Sequence, residues 1–272
     1  MNDHPSESRC VKLRYLAKDQ DRAIYMASEA GGEVTPHHGK YEEKIVRMEN
    51  GRGRLNQFSL DRQGFRLLTH VSTVGDYYDN FQIENIYNDE IQKLVMKSTG
   101  AARVVVFDNT RRASSEVTRK QKNVREQAAT VHNDYTDYSA PKRLREILPT
   151  EADSLLQRRY AIVNVWRSVA GLVENYPLAM CDVESVGYAD LIAVKRQARD
   201  RIGEIQFATY NPDHRWVYFP KMKSDEVLMF KTFDSIRDGR ARFTIHSSFN
   251  DPSAPMDAPV RESLETRCFV FY

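Results

Sequence analysis

The stretch Val131-His132-Asn133-Asp134-Tyr135-Thr136 sets a histidine and a carboxylate two positions apart. Side chains alternate along an extended strand, so His132 and Asp134 point to one face and can reach one ion together. A nitrogen donor beside a carboxylate, joined by a second histidine, is the ligand composition of non-haem Fe(II) oxygenase sites. Taken alone the pair also suits a polar surface loop, and only partners elsewhere in the chain decide between the two readings.

Two downstream histidines can supply the missing nitrogen. His214 stands in Pro212-Asp213-His214-Arg215-Trp216, and His246 in Phe243-Thr244-Ile245-His246-Ser247-Ser248-Phe249. Beyond His246, Arg261-Glu262-Ser263 repeats the i, i+2 spacing and puts a guanidinium and a hydroxyl on one strand face. A guanidinium fork matches both oxygens of a carboxylate, so this pair reads as a carboxylate receptor and favours His246 as the third ligand. The adjacent His37-His38 pair reads as exposed loop, because neighbouring histidines on a strand face opposite ways.

These residues need strands to hold them. Val11, Leu13 and Tyr15 alternate with polar positions, Ile45 to Met48 runs into an Asn50-Gly51 turn, and Phe58 to Leu68 reads as strand, turn, strand. Residues 1–75 are thus expected to be a hairpin-rich extension, and residues 76–272 a core with helices, within one domain. Ile83, Ile86, Tyr87, Ile91, Leu94 and Val95 follow helical spacing up to a stop at Thr99-Gly100. Ala102 to Phe107 reads as a buried strand. The basic stretch Asn109 to Thr130 reads as a solvated loop or short helix, with a mobile cover over the metal site as its functional alternative, and it has no aromatic residue for base stacking.

Leu144 to Gln157 is expected to be a helix. Tyr160 to Ser168 is expected to be a strand that sets Ile162, Asn164 and Trp166 on one face and Arg167 on the other. Short strands follow around Leu178, from Gly203 to Tyr210, from Trp216 to Pro220, and beyond; the Asn211-Pro212-Asp213 turn is expected to join two of them as a hairpin. About seven short strands after residue 100 with few helices favour a jelly roll over a βαβ fold.

Bulk composition narrows the partners. The 272 residues are 41% hydrophobic and 29% charged, which is ordinary for a globular protein. Forty basic against 38 acidic residues leave +2, so neither nucleic acid nor an anionic membrane is the expected partner. Three cysteines, Cys10, Cys181 and Cys268, stand far apart without a metal-knot spacing, which points to a reducing compartment. The polar first ten residues and the lack of a long apolar run point to a cytoplasmic protein. A homodimer is one arrangement that an N-terminal hairpin region allows.

His132-x-Asp134, a distal His246 and Arg261-x-Ser263 together resemble the signature of the Fe(II)/2-oxoglutarate-dependent oxygenases. The run from His214 to Met222, then Asp225 to Leu228, Phe233-Asp234-Ser235, Asp251-Pro252 and Arg261 to Ser263, is similar to a mostly fungal natural-product group of that superfamily. The resemblance spans most of the chain from about Leu13. It implies a mainly β double-stranded β-helix, a cupin-like jelly-roll barrel with flanking helices. It implies Fe(II) held by His132, Asp134 and His246, with 2-oxoglutarate and O2 in the remaining positions. Arg261 and Ser263 would hold the distal carboxylate of 2-oxoglutarate, with Asn164 and Arg167 beside the co-substrate and Arg267 or Arg167 as the alternative anchor. His214, Trp216 and Tyr135 would line the pocket of a small-molecule substrate, which is hydroxylated, desaturated or oxidatively cyclised after hydrogen abstraction. Arg167 has the plainer alternative of pairing with Asp182 or Glu184, and Trp216 that of a core residue. Two other functions fit the residues: an iron-dependent isomerase or cyclase that does not turn over 2-oxoglutarate, and a non-catalytic jelly-roll binding protein.

Overall fold

The computed structural model describes residues 8–18, 24–26, 39–197 and 202–272. The His37-His38 pair lies outside these residues. In chain order the strands are β1 (Ser8–Leu16), β2 (Ile24–Met26), β3 (Tyr41–Asn50), β4 (Phe65–Thr69), β5 (Arg103–Ala113), β6 (His132–Asn133) and β7 (Tyr160–Ser168). There follow β8 (Leu178–Cys181), β9 (Leu191–Gln197), β10 (Ile202–Ala208), β11 (Trp216–Tyr218), β12 (Glu226–Asp234), β13 (His246–Ser248) and β14 (Glu262–Phe271). A nine-stranded sheet runs β1-β3-β11-β8-β13-β6-β10-β9-β2, and a five-stranded sheet runs β4-β12-β7-β14-β5. The architecture is a mainly β jelly roll with flanking helices.

Alternation along each strand builds layers. Met180 and Val217 of the larger sheet interlock with Trp166, Leu228 and Phe230 of the smaller, so the inner faces meet there. On the far side of the smaller sheet, Val163, Val165, Leu264 and Cys268 pack beneath a helical segment. That segment runs through α1 (Asn80–Gln82), a π turn (Ile83–Tyr87) and α2 (Asn88–Thr99). Asp79 caps its start by accepting from the Phe81 amide, and Gly100 ends it in the left-handed conformation with φ 69°. Ile83, Tyr87, Ile91 and Val95 form its buried stripe, spaced by four as one helix face requires.

Behind the larger sheet lies a separate apolar layer containing Val11, Leu13 and Tyr15 of β1 with Val131, Ile245, Cys181 and Trp216. The strand β1 pairs with β3 along its whole length. It also bridges Arg14 to Thr130 and Leu16 to Thr209, so the sheet curls over this layer. The Val131 amide donates to the Arg14 carbonyl at 2.9 Å, which braces the residue before His132. The described residues before 76 therefore contribute strands to both sheets, since β4 is an edge strand of the smaller one.

Several expected elements differ in detail. Phe58 to Leu60 is not a strand; only Phe65–Thr69 is. The predicted helix from Leu144 to Gln157 is two, α4 (Ser139–Ile147) and α5 (Ala152–Leu155), preceded in the chain by α3 (Glu116–Lys122). The break falls at Leu148-Pro149, where proline disfavours helical geometry in the residue before it. The hairpin expected around Asn211-Pro212-Asp213 does not form: β10 pairs with β6 and β9, whereas β11 pairs with β3 and β8. The stretch read as a cover from Asn109 begins as the second half of β5. No helix among the described residues is long and apolar enough to cross a membrane.

Candidate metal centre and co-substrate pocket

The metal ligands meet where two very short strands touch. β6 and β13 pair at a single register position, His132 opposite His246, and their ring centroids are 4.3 Å apart. Their chain neighbours Val131 and Ile245 pack into the layer behind the sheet, so both histidines face inward. Each ring is oriented in the same way. His132 Nδ1 lies 2.8 Å from the Thr130 carbonyl and His246 Nδ1 lies 3.0 Å from the Thr244 carbonyl. A carbonyl only accepts, so Nδ1 carries the proton in both rings and Nε2 is left with its lone pair for a metal.

Asp134 follows β6 and turns toward the smaller sheet. Its Oδ2 accepts from Asn164 Nδ2 at 2.8 Å and from Arg267 Nε at 2.9 Å, while its Oδ1 lies 3.4 Å from His132 Nε2. One donor atom from each of His132, Asp134 and His246 lies within 4.8 Å of the others. Two neutral nitrogens and one carboxylate oxygen suit a divalent first-row metal such as Fe(II). The protonation states agree with that use. Burial, reinforced by neighbouring His132, lowers the His246 pKa to about 3 against the pull of Asp134. For Asp134, burial acts to raise the pKa, but Arg267 and the bond to His132 outweigh it and hold the carboxyl well below the usual range.

Three rows of residues cross the inner face of the smaller sheet. Asn164, Arg267 and Asp108 stand side by side on β7, β14 and β5; Trp166, Glu265 and Thr110 form the next row; Ser168, Ser263 and Arg112 the third. The first row grips Asp134. At the other end, Arg261 is 4% exposed and donates to Ser263 Oγ at 2.8 Å and to Ser248 Oγ at 3.3 Å, and its guanidinium lies 5.0 Å from the Trp166 ring centroid. Among the described residues Arg261 pairs with no carboxylate, and Arg261 Nε and Trp166 Nε1 have no partner. Burial, then the charge of Arg112, lowers the Arg261 pKa to about 9.

A buried guanidinium without a counter-ion is costly unless a ligand supplies one. Ser248, which Arg261 contacts, stands two residues after the ligand His246 on the same face of β13. Two residues of strand advance about 7 Å, roughly the span between the two ends of a five-carbon diacid. The donor set and the orphaned guanidinium therefore fit Fe(II) and 2-oxoglutarate together.

The other expected site residues are placed as follows. Asn164 is fully buried and touches Asp134, with its Oδ1 accepting from Thr232 Oγ1 at 3.3 Å, so it orients the carboxylate. Arg167 is on the opposite face of β7, against the Tyr77 and Tyr87 rings, and donates to the carbonyls of His70 and Ser224. Asp182 and Glu184 instead bind Arg215. His214 and Trp216 lie behind the larger sheet, away from the ligands. His214 contacts Asp190 Oδ2 at 3.3 Å and Tyr15 at 3.4 Å, and Trp216 Nε1 donates to the Tyr15 hydroxyl at 2.9 Å. The plainer reading of Trp216, a core residue, describes its position. Tyr135 packs among Phe107, Ile162 and Phe269 next to Asp134. Ser248 and the grip of Arg267 on Asp134 escaped sequence reasoning. The alternation Arg261-x-Ser263-x-Glu265-x-Arg267 was the available signal: four polar side chains on one strand face.

A jelly roll with two histidines and a carboxylate converging at one buried point, and an unpaired guanidinium within reach, defines the class: the non-haem Fe(II)/2-oxoglutarate-dependent oxygenases. The comparisons agree. The chain belongs to the oxidoreductase family described as Oxidoreductase/YMDC permease-like domain, which it matches over residues 13–271. It is 36% identical over 264 residues to the hydroxylase/desaturase CTB9 of Cercospora beticola, covering 89% of this chain and 81% of that one. It is 30% identical over 258 residues to the Fe(II)/2-oxoglutarate-dependent dioxygenase nvfI of Aspergillus novofumigatus, covering 88% and 89%. A solved structure of the iron and alpha-ketoglutarate-dependent endoperoxidase NvfI superimposes with a TM-score of 0.85 at 26% identity, covering 97% of this chain and 98% of that one.

Proposed function

We infer that this protein is an Fe(II)/2-oxoglutarate-dependent oxygenase that oxidises a small-molecule natural-product intermediate. The observation that carries the reading is the pairing of the His132, Asp134 and His246 donor set with the buried Arg261, which forms no salt bridge among the described residues. In this reading His132, Asp134 and His246 hold the iron, and Arg261 with Ser263 holds the distal carboxylate of the co-substrate. Bound Fe(II) supplies O2 activation coupled to oxidative decarboxylation of 2-oxoglutarate to succinate and CO2. The protein's share is placement and exclusion of water. Asn164 and Arg267 occupy one oxygen of Asp134 and turn the other toward the histidines. Phe230, whose ring centroid is 4.7 Å from that of His246, and Met180, the register partner of His246, wall the site with apolar surface.

The relatives' names include hydroxylase/desaturase and endoperoxidase, which supports hydrogen abstraction from substrate carbon followed by hydroxylation, desaturation or oxidative cyclisation. The reading extends to one domain over residues 1–272, a cytoplasmic location, no nucleic-acid partner and a homodimer; the nearly balanced charge supports the lack of a nucleic-acid partner. Anaerobic Fe(II) and 2-oxoglutarate titrations, followed by succinate measurement after admission of air, test the assignment. One iron and one 2-oxoglutarate per chain with iron-dependent succinate are expected. Failure to bind either would sink it.

A further inference from the structure

The receptor around Arg261 holds a second positive charge that the Arg-x-Ser pair leaves unexplained. Arg112 on β5 stands directly opposite Ser263 on β14, and directly paired residues share a face, so its side chain leaves the sheet beside the receptor. Its Nη1 donates to the Glu126 carbonyl at 2.9 Å. The segment carrying that carbonyl is tied to β5, with the Ala113 amide donating to the Arg125 carbonyl at 2.9 Å and the Arg125 amide to the Arg111 carbonyl at 3.2 Å. After burial, Arg112 is the main influence lowering the Arg261 pKa, which fits two guanidiniums near one another.

Among the described residues neither arginine pairs with a carboxylate. Nearby Glu262 is taken by Lys122, and Glu265 by Arg267. Arg261 is buried and Arg112 half-buried, and two like charges there repel unless an anion lies between them. An ionised carboxylate has about four lone-pair sites on its two oxygens, enough to accept from two guanidiniums. We propose that Arg112 is a second co-substrate-binding residue, and that the distal carboxylate of 2-oxoglutarate bridges Arg112 and Arg261. Ser248 and Ser263 fix one guanidinium and the Glu126 carbonyl fixes the other. The proposal rests on the oxygenase reading of the same site.

The test is a cycle of two proteins and two keto acids. The wild-type chain and Arg112→Gln, both loaded anaerobically with Fe(II), are titrated by calorimetry with 2-oxoglutarate and with 2-oxobutanoate, which keeps the keto-acid head but ends in a methyl group. Loss of one charge-assisted contact predicts that Arg112→Gln binds 2-oxoglutarate about tenfold or more weakly. Its binding of 2-oxobutanoate should stay within about twofold of wild type, because no distal carboxylate is present to lose. Equal weakening of both ligands, or of neither, overturns the proposal while leaving the oxygenase reading intact. A wild-type protein that does not prefer 2-oxoglutarate over 2-oxobutanoate overturns both. Should Arg112→Gln fail to fold, Arg112→Lys gives the same readout, with a smaller loss confined to 2-oxoglutarate as the supporting result.

Discussion

Arg267 Nε lies 2.9 Å from Asp134 Oδ2, on the far side of the carboxylate from His132. With Asn164 Nδ2 bonded to the same oxygen, one oxygen of the ligand is occupied by protein and the other is left for the metal. Partners that orient a metal ligand typically change metal affinity by about 10–100-fold when removed. Asn164→Ala is therefore expected to weaken Fe(II) binding within that range while the protein stays folded. Arg267→Met should cost more, because Asp108 and Glu265 lose the same cation. Anaerobic metal titration with parallel thermal unfolding separates the effects, and an Asn164→Ala protein with wild-type affinity would contradict the clamp.

His132→Ala, Asp134→Ala and His246→Ala each remove one donor from a set whose atoms lie within 4.8 Å of one another. Each is expected to lose stoichiometric iron and with it succinate formation. His214→Ala should retain iron, since that ring bonds to Asp190 and Tyr15 behind the sheet. Iron content measured after gel filtration decides the matter. Loss of metal from His214→Ala alone, with the triad variants unaffected, would reverse the assignment.

Arg261→Ala should raise the 2-oxoglutarate concentration needed for half-maximal succinate formation. A hydrogen bond to a charged group contributes about 1.5–3 kcal/mol, which corresponds to roughly ten- to a hundredfold. The maximal rate at saturating co-substrate should fall less, because the metal ligands are untouched. An unchanged requirement would remove Arg261 from the co-substrate site. Arg267 and Arg167 could not take its place, as one grips Asp134 and the other faces Tyr77 and Tyr87.

The site's ligands were legible because i, i+2 spacing is local: Arg261-x-Ser263 shares a face at the start of β14, and His132 and Asp134 stay near one another although Asp134 lies in the bend just after β6 rather than on its strand face. Their mutual arrangement was not. The pairing of His132 with His246 rests on strands of two and three residues, too short to leave a periodic signal. The second half of β5 read as a loop for a physical reason: Asp108, Thr110 and Arg112 point into a polar site, so the usual inward apolar pattern is inverted where function demands it. The expected hairpin at Asn211-Pro212-Asp213 failed because turn chemistry fixes a bend and not the partners of the strands beside it. β9 was missed since Lys195 and Arg196 interrupt its apolar run.

The acid sensitivity of the fold should trace in part to Asp234. This fully buried carboxylate accepts from Lys231 Nζ at 2.8 Å and from Arg159 at 2.7 and 3.2 Å. Burial acts to raise its pKa, but the Arg159 and Lys231 contacts outweigh that and hold it below its ordinary value. A carboxylate depressed in the folded state adds stability above its unfolded pKa, near 3.9, and loses it as pH falls through the folded value. Asp234→Asn is expected to cost about 3–5 kcal/mol at neutral pH, because Lys231 and Arg159 lose a buried partner. The gap from wild type should narrow once pH drops below about 4. Urea unfolding across pH 3–7 measures it, and a gap that stays constant would assign the cost to packing instead.

Gly64 links the fold to the metal site through a close approach. Its φ is +91°, and a Cβ there would lie 2.2 Å from Thr244 Oγ1 and 2.9 Å from the Phe243 carbonyl. Thr244 in turn supplies the carbonyl that fixes the His246 ring. Gly64→Ala therefore combines a backbone conformation unfavourable for L-residues, about 1–2 kcal/mol, with a displacement of the segment that orients a ligand. A melting temperature lower by several degrees is expected, with about 2–4 °C for each kcal/mol in a chain of this size. Iron binding should weaken as well, because a rotated His246 no longer presents Nε2 beside His132 and Asp134. Removing the Thr244 side chain in Gly64→Ala/Thr244→Gly should recover part of the metal affinity, leaving in place the positive-φ cost and the 2.9 Å approach to the Phe243 carbonyl. A single variant with lowered stability but wild-type iron affinity would show that Thr244 does not transmit the strain to His246.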